Sequence, residues 1–260
     1  MLEVTKHSGV ARVTLNRPEL RNAFDDELIK QLRGAFKDIS RDASIRVMVL
    51  AGNGPAFCAG ADLNWMKRMA GYGYDENLAD AAALADMLAV LDRLPKPTIA
   101  RVHGPVFAGG TGLVAACDIA VGTPQAKFCL SEAKLGLSPA TISPYVIRAM
   151  GERAARRYFL TAEVFDAQEA LRIGMLSQLV PTERLDAAID ELLEHLLAGG
   201  PQAHGKIKAL IREVAGRRPD DALVAETAQR IAEIRGSPEG REGIAAFLEK
   251  RKASWCSPKS

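Results

Sequence analysis

Two glycine-rich turns are the parts of this sequence best suited to chemistry. They cover residues 57–63 and 103–112, and each follows an apolar run that is typical of a buried strand. Backbone N–H groups on such turns are donors fixed in place, and they stabilise negative charge that develops on a bound oxygen. Ala61 and Gly109 are the predicted donors, because glycine lets a ligand approach the backbone and the helix predicted from Gly110 directs its positive end there. One such turn often serves packing alone, whereas the pair favours a site.

No cofactor or metal motif competes with these turns. The glycines fit neither the G-x-x-x-x-G-K-[ST] nor the G-x-G-x-x-G phosphate-binding pattern, and the sequence contains no G-x-S-x-G nucleophile motif. The four histidines lack the spacing of metal ligands, and His103 is the one that lies near the turns. We therefore predict no metal site.

The elements that must position the turns alternate along the chain. Strands at residues 2–6 and 10–15 form a predicted hairpin, a helix begins near Asp25 or Asp26, and a strand at residues 46–50 precedes the first turn. Helices alone are predicted after residue 200, so the order favours an α/β core with a C-terminal helical appendage. The other predicted strands lie at 98–102, 119–121, 127–130 and 176–180, and the other helices at 78–91, 110–117, 143–150, 153–160, 167–173 and 185–197.

Composition and charge exclude several classes of protein. With 260 residues, of which 48% are hydrophobic and 25% charged, the chain is typical of a globular protein with a sizeable core. Its net charge of +2 is too small to predict nucleic acid or an anionic membrane as the main partner. The four cysteines form no C-x-x-C pair, and the sequence shows no leader and no membrane-length apolar segment. We expect a cytoplasmic protein with reduced thiols.

Several motifs, in order, resemble those of the enoyl-CoA hydratase/isomerase, or crotonase, superfamily. They include Asn16-Arg17-Pro18, both glycine-rich turns, the segment 126–132 and the ending 242–252, so the resemblance covers essentially the whole chain. It implies a spiral of ββα repeats in residues 1–200 that binds an acyl-CoA thioester. It also implies that helices in residues 201–260 build a homotrimer, often paired into a homohexamer. No separate cofactor is implied, because coenzyme A is part of the substrate.

The resemblance assigns binding roles residue by residue. Ala61 and Gly109 would donate their N–H groups to the thioester carbonyl oxygen. Phe247 and Lys250 match tail residues that reach the coenzyme A of a neighbouring subunit, although a packing phenylalanine and a solvated lysine explain them equally well. The path of coenzyme A would be lined by Ala59, Ala61, Asp62, Leu63 and Asn64, where Asn64 replaces a lysine that is frequent in the family.

The catalytic carboxylates distinguish the activities within this family. Typical hydratases use two glutamates, and the second matches Glu132 whereas the first matches Gly112. Glycine has no side chain that could accept a proton or orient water. Glu132 is therefore the acid/base candidate, and we expect flanking Leu130, Leu135 and Leu137 to raise its pKa by desolvation. The ordinary alternative is an exposed, salt-bridged Glu132.

Two enzymatic interpretations remain open. A single glutamate at the second position is the arrangement of Δ3,Δ2-enoyl-CoA isomerases. The segments 107–113, 129–132 and 142–158, however, are more similar to methylglutaconyl-CoA and carboxygeranoyl-CoA hydratases, which also have glycine at the first position. We favour a hydratase of a 2-enoyl-CoA, branched as in 3-methylglutaconyl-CoA. The group that would assist Glu132 is not identified, and the candidates are Asn77, Tyr74 and His103.

Two hypotheses of another class are RNA binding and acyl-CoA binding without turnover. One branch of the superfamily binds RNA, and residues 201–260 carry twelve Lys and Arg against eight Asp and Glu. The cations Lys206, Lys208 and Arg212 do not form one tight helical face, and no aromatic residues alternate with them as stacking platforms. RNA binding is therefore weakly supported, and an intact Glu132 argues against a protein without turnover.

Overall fold

The computed structural model of the protein describes residues 1–256, which contain nine β-strands and ten α-helices. The strands are β1 Leu2–His7, β2 Val10–Leu15, β3 Val47–Gly52, β4 Thr98–Val102, β5 Pro105–Phe107, β6 Ile119–Gly122, β7 Lys127–Cys129, β8 Phe165–Asp166 and β9 Gln178–Leu179. The helices are α1 Asp26–Arg41, α2 Leu63–Met69, α3 Tyr74–Asp92, α4 Gly109–Ala116, α5 Ser143–Thr161, α6 Ala167–Arg172, α7 Leu185–Ala198, α8 Pro201–Val214, α9 Asp221–Gly236 and α10 Pro238–Leu248.

Two sheets carry the strands. The larger sheet has the order β1-β2-β3-β4-β6-β9, in which β1 and β2 form an antiparallel hairpin and the other pairs are parallel. The smaller sheet has the order β5-β7-β8, with β5 and β7 parallel. The predicted α/β class and the predicted hairpin are confirmed.

The core forms where apolar helix faces cover the larger sheet. Strand β3 is buried at every position, as expected for a strand covered on both faces. Helix α1 begins at Asp26 because the carboxylate of Asp25 accepts a hydrogen bond from the N–H of Leu28 at 2.9 Å. Its buried stripe has the spacing of one helix face and consists of Leu28, Ile29, Leu32, Phe36 and Ile39.

The structure differs from the sequence predictions in short elements. Helix α2 and strands β5 and β8 were not predicted, and each has seven residues or fewer. The two helices predicted at 143–150 and 153–160 are the two halves of α5, which Gly151 breaks with φ 76° and ψ 160°. Such a backbone conformation is accessible mainly to glycine, so the sequence separated the two halves at the correct place.

The C-terminal helices are attached to the core by polar contacts. Lys208 of α8 is 8% exposed, and its Nζ lies 2.6 Å from the carboxylate of Asp118 and 3.1 Å from the carbonyl oxygen of Lys96. A buried paired lysine is costly to withdraw from its partner, so Lys208 is not free to contact phosphates. This contact weakens the RNA-binding hypothesis further. Of the ten described helices, none is long and apolar enough to cross a membrane.

Candidate active site

The two glycine-rich turns are bonded to each other. The N–H of Phe107 donates to the carbonyl oxygen of Cys58 at 2.9 Å, and the N–H of Cys58 donates to Pro105 at 3.2 Å. Gly60 approaches so closely that an added Cβ would lie 3.1 Å from the carbonyl oxygen of Phe107 and 3.2 Å from Cβ of Ala108. Ala61 and Gly109, which follow Gly60 and Ala108 in the chain, are therefore brought to the same place.

The predicted donors have free N–H groups. Phe24 pairs with the first turn, because its N–H donates to Gly60 and its carbonyl oxygen accepts from Asp62, which leaves the N–H of Ala61 without an acceptor among residues 1–256. Gly109 is the first residue of α4, and its N–H likewise has no acceptor in this part of the chain. Two free donors and the positive end of a helix can stabilise a developing oxyanion.

Gly109 and Gly110 of the second turn allow close packing against Phe24 and the first turn. A Cβ at Gly109 would lie 2.1 Å from Cζ of Phe24, and a Cβ at Gly110 would lie 2.6 Å from the carbonyl oxygen of Cys58. The sequence predicts that these glycines let a ligand approach the backbone. The structure shows that Gly109 makes room for the ring of Phe24 and that Gly110 makes room for the first turn at Cys58.

Ala108 holds a strained backbone conformation directly before Gly109. Its φ is 47° and its ψ is −118°, a region in which side chains cost about 1–3 kcal/mol. Its N–H donates to the carbonyl oxygen of Cys129 at 2.8 Å, which fastens this turn to β7. No sequence pattern identified Ala108, because the strain depends on this tertiary contact.

We expect Ala108→Gly to raise the free energy of unfolding by about 1 kcal/mol. Relief of about 1–3 kcal/mol of strain exceeds the entropic cost of glycine, about 0.5–1 kcal/mol. Urea denaturation measures the change. The control Ala83→Gly, at an exposed position of α3, should instead lose about 1 kcal/mol. An equal loss of unfolding free energy in both variants would contradict the strained conformation of Ala108.

Strand pairing brings Glu132 to the edge of the smaller sheet at which Gly109 lies. Strands β5 and β7 are parallel, and Phe107 pairs with Cys129 at their carboxyl ends. Gly109 follows Phe107 by two residues and Glu132 follows Cys129 by three, so both residues leave the same edge of the smaller sheet. Open α/β sheets bind ligands at such an edge.

The environment of Glu132 suits proton transfer. Its Oε2 is buried and has no hydrogen-bond partner among the described residues, and burial raises the pKa of the carboxyl although its own N–H lowers it. The predicted rise in pKa is confirmed. Leu130 is buried as expected. Leu135 and Leu137 are 56% and 61% exposed, so they contribute little to the desolvation of Glu132.

Asp62 acts as an anchor for the first turn. It is 6% exposed, and its carboxylate caps α2 by accepting from the N–H groups of Asn64 at 2.8 Å and Trp65 at 3.2 Å. Arg17 lies 3.4 Å from Asp62 and 2.9 Å from Asp25, so one guanidinium holds the starts of α1 and α2 together. Sequence reasoning did not assign this positioning role to Arg17.

The other predicted contacts to coenzyme A lie on accessible surface. Leu63 is 74% exposed and Asn64 is exposed, whereas the N–H of Ala59 donates to the carbonyl oxygen of Arg21 at 2.9 Å. Phe247 is 82% exposed at the end of α10, and exposed Lys250 follows it. Their contacts to coenzyme A stay predictions.

None of the three candidate assisting groups is hydrogen-bonded to Glu132. Nε2 of His103 lies 2.8 Å from the carbonyl oxygen of Gly54, and His103 precedes β5 whereas Glu132 follows β7. Because β5 and β7 are parallel, these two residues lie at opposite ends of the sheet. The amide of Asn77 donates to backbone carbonyls in its own turn, and Tyr74 is 79% exposed.

Comparisons with known proteins agree over nearly the whole chain. A family model described as enoyl-CoA hydratase/isomerase matches residues 5–258. An enoyl-CoA hydratase of Alternaria alternata is 36% identical over 253 residues, covering 96% of this chain and 82% of the relative. The 1,2-epoxyphenylacetyl-CoA isomerase of Escherichia coli is 35% identical over 246 residues, covering 94% and 93%.

Solved structures show the same fold. The crystal structure of an enoyl-CoA hydratase from Shewanella pealeana matches with a TM-score of 0.95 and 45% identity, covering 98% of this chain and 95% of that one. The predicted crotonase-like fold is thus confirmed.

Proposed function

The chain belongs to the enoyl-CoA hydratase/isomerase family, and we propose that it adds water across the double bond of a 2-enoyl-CoA thioester. The observation that carries this proposal is the buried Oε2 of Glu132, which has no partner within residues 1–256. It lies at the sheet edge where Ala61 and Gly109 have free N–H groups. Buried polar atoms normally have a hydrogen-bond partner, and in the proposed reaction that partner is the attacking water.

One carboxylate serves both proton transfers in this reaction. The N–H groups of Ala61 and Gly109 donate to the thioester carbonyl oxygen, which polarises the double bond. Ionised Glu132 takes a proton from water while the water oxygen bonds to the β-carbon and the double-bond electrons form an enolate. Protonated Glu132 then gives a proton to the α-carbon, the enolate collapses to the 3-hydroxyacyl thioester, and Glu132 returns to its ionised state.

Isomerisation of a 3-enoyl-CoA is the second candidate reaction, and the packing at position 112 favours it. Position 112 is a glycine and carries no second carboxylate. A Cβ there would lie 2.4 Å from Cγ2 of Ile142, so the packing leaves no room for one. A single base can take a proton from the α-carbon and return it to the γ-carbon without water. The relatives include proteins named for hydration and for isomerisation.

The acyl group that we propose is branched and carries a second carboxylate, as in 3-methylglutaconyl-CoA. The sequence likeness of residues 107–113 and 129–132 to hydratases of such substrates supports this choice. Lys134 is the basic residue nearest to Glu132 along the chain, and it is exposed. It is a cation that could face the free carboxylate.

Lys134→Met should therefore weaken the use of a substrate with a second carboxylate. With 3-methylglutaconyl-CoA, we expect KM to rise by up to about fivefold, since exposed ion pairs contribute about 0.2–1 kcal/mol. With crotonyl-CoA, which lacks the second carboxylate, KM should not change. Steady-state kinetics with the two substrates measure the ratio, and equal changes would contradict a contact between Lys134 and the carboxylate.

The quaternary structure that we propose is a homotrimer or homohexamer. The C-terminal end of α10 presents three apolar side chains, since Ile244 is 50%, Phe247 82% and Leu248 72% exposed. Adjacent exposed apolar side chains are typical of surfaces that contact a partner. Residues 1–200 would then carry the site and residues 201–260 the subunit contacts.

The proposed roles predict the acid limb of the pH profile. Hydration needs ionised Glu132, and burial raises the pKa of this carboxyl above its ordinary value of 4.5. We expect kcat/KM to fall as the pH decreases through this raised pKa, at a higher pH than an ordinary glutamate would give. A stopped assay from pH 4 to pH 8 measures the limb, and full activity below pH 4.5 would contradict the role of Glu132.

An absorbance assay separates the two candidate reactions. Crotonyl-CoA has a double bond conjugated to the thioester, and hydration removes this conjugation, whereas isomerisation of 3-hexenoyl-CoA creates it. We expect the absorbance of crotonyl-CoA to decrease with the wild type, and to decrease at least about 100-fold more slowly with Glu132→Gln. An increase with 3-hexenoyl-CoA and no change with crotonyl-CoA would instead establish the isomerase.

A further inference from the structure

Gly112 has no room for a side chain. A Cβ at this position would lie 2.4 Å from Cγ2 and 2.9 Å from Cβ of Ile142, and 3.7 Å from Cδ1 of Leu88. Ile142 is 2% exposed and Leu88 is fully buried. The place of a side chain at position 112 is therefore filled by an aliphatic side chain from the start of α5.

Ile142 packs close to the oxyanion donor. Gly109 and Gly112 are three residues apart in α4, so they share one helix face and are separated by about 4.5 Å along the axis. Gly109 supplies one of the two free N–H groups. Ile142 thus covers α4 within about one helical turn of the place proposed for the thioester oxygen.

Ile142 and Glu132 are the two ends of one connecting segment. The N–H of Leu137 donates to the carbonyl oxygen of Glu132 at 3.0 Å, and the N–H of Ser143 donates to Pro139 at 2.9 Å, so both ends are held. The reacting carbons must lie between Gly109 and Glu132. The segment that begins at Glu132 therefore ends at the residue that packs on α4 beside Gly112.

We propose that Ile142 is a specificity-determining residue that limits the size of the acyl group. This inference rests on the proposed function, because it places the thioester oxygen at Gly109. Ile142 puts an aliphatic surface where a second carboxylate would otherwise orient water. Because Ile142 is 2% exposed, it acts by filling space, and an acyl group that is too large is excluded by it.

The packing part of the proposal is tested by a double-mutant cycle. Gly112→Ala should lower the melting temperature in the wild type, because its Cβ would meet Ile142. Gly112→Ala should lower the melting temperature much less in the I142G background, where both contacting atoms of Ile142 are absent. The background is I142G because I142A would keep the Cβ that lies 2.9 Å from the added Cβ. Equal losses from G112A in the two backgrounds would overturn the packing of Ile142 on position 112.

The specificity part is tested by calorimetric binding of saturated acyl-CoA thioesters from acetyl to octanoyl. These ligands have no double bond, so their binding does not depend on whether the protein hydrates or isomerises. Affinity should rise about fourfold per methylene until the chain fills the site, and Ile142→Ala should move this limit to longer chains. Ile142→Val, which removes one methylene, should move it less and serves if the alanine variant does not fold.

The matched control is Ile147→Ala. Ile147 lies in α5 and is 40% exposed, so this substitution should leave the chain-length limit unchanged. The same limit in the wild type, I142A and I142V would overturn the role of Ile142. Failure of the wild type to bind any acyl-CoA would overturn the proposed function and this inference with it.

Discussion

Glu132→Gln is expected to lower the turnover of a 2-enoyl-CoA by about 10²–10⁴-fold, the range that general acid–base catalysis contributes. Glutamine has nearly the same shape but cannot take a proton from water or return one to the α-carbon. The affinity for a saturated acyl-CoA should stay within about twofold, because the oxyanion donors are unchanged. Steady-state kinetics and calorimetry separate these two effects.

The same variant should be more stable than the wild type at neutral pH. Burial raises the pKa of Glu132, so its contribution to stability is present below the pKa of the unfolded chain and is lost as the pH rises through the folded pKa. Glutamine is neutral throughout, and its advantage should disappear below about pH 4. Melting temperatures from pH 3 to pH 8 measure this difference.

The matched control is Glu152→Gln on α5, where Glu152 is exposed and paired with Arg156 at 3.0 Å. It should leave turnover unchanged. Full turnover in Glu132→Gln would remove Glu132 from the mechanism. Lost turnover together with a lower melting temperature at pH 7 would show that the carboxylate acts as a structural contact instead.

Gly109→Ala is expected to lower kcat by about 10²–10³-fold, the effect of losing one oxyanion donor. The added Cβ would lie 2.1 Å from Cζ of Phe24, and both residues are buried. Either α4 or the first turn must shift, and the N–H of Gly109 then no longer points at the thioester oxygen. Overpacking of this kind also costs about 1–3 kcal/mol of stability.

Gly34→Ala is the control for the substitution itself. Gly34 lies inside α1 with no atom within 4 Å of its added Cβ, so alanine should stabilise the protein by about 1 kcal/mol and leave kcat unchanged. The measurement is kcat at saturating substrate, at a temperature where circular dichroism shows that Gly109→Ala is folded. A folded variant with normal kcat would contradict the role of the Gly109 N–H.

Local signals in the sequence were sufficient for the long elements. The hairpin follows from two apolar runs across a glycine, and α1 follows from Asp25 and a buried stripe with helical spacing. Strand β5 has three residues inside a glycine-rich turn, where no periodicity can develop. Helix α2 has only seven residues, and its start depends on the carboxylate of Asp62, which caps this helix and is a predicted ligand contact as well.

The candidate site was only partly predictable, because local sequence signals do not show contacts between distant parts of the chain. Ala61, Gly109 and Glu132 follow motifs that are contiguous in sequence, so the resemblance is sufficient to propose them as site residues. The constraints on those residues come from distant parts of the chain, since Phe24 fills the space beside Gly109 and Ile142 fills the space beside Gly112. No spacing in the sequence signals such contacts.

The central claim is that the protein hydrates its substrate with one carboxylate, and its most direct test is incubation in ¹⁸O-labelled water. Mass spectrometry of the products from 3-methylglutaconyl-CoA and from simple 2- and 3-enoyl-CoAs would follow the oxygen. We predict one ¹⁸O atom in the acyl group of a 3-hydroxyacyl-CoA product, and incorporation that is about 10²–10⁴-fold slower with Glu132→Gln. A shifted double bond without a gain of labelled water would contradict hydration and establish the isomerase.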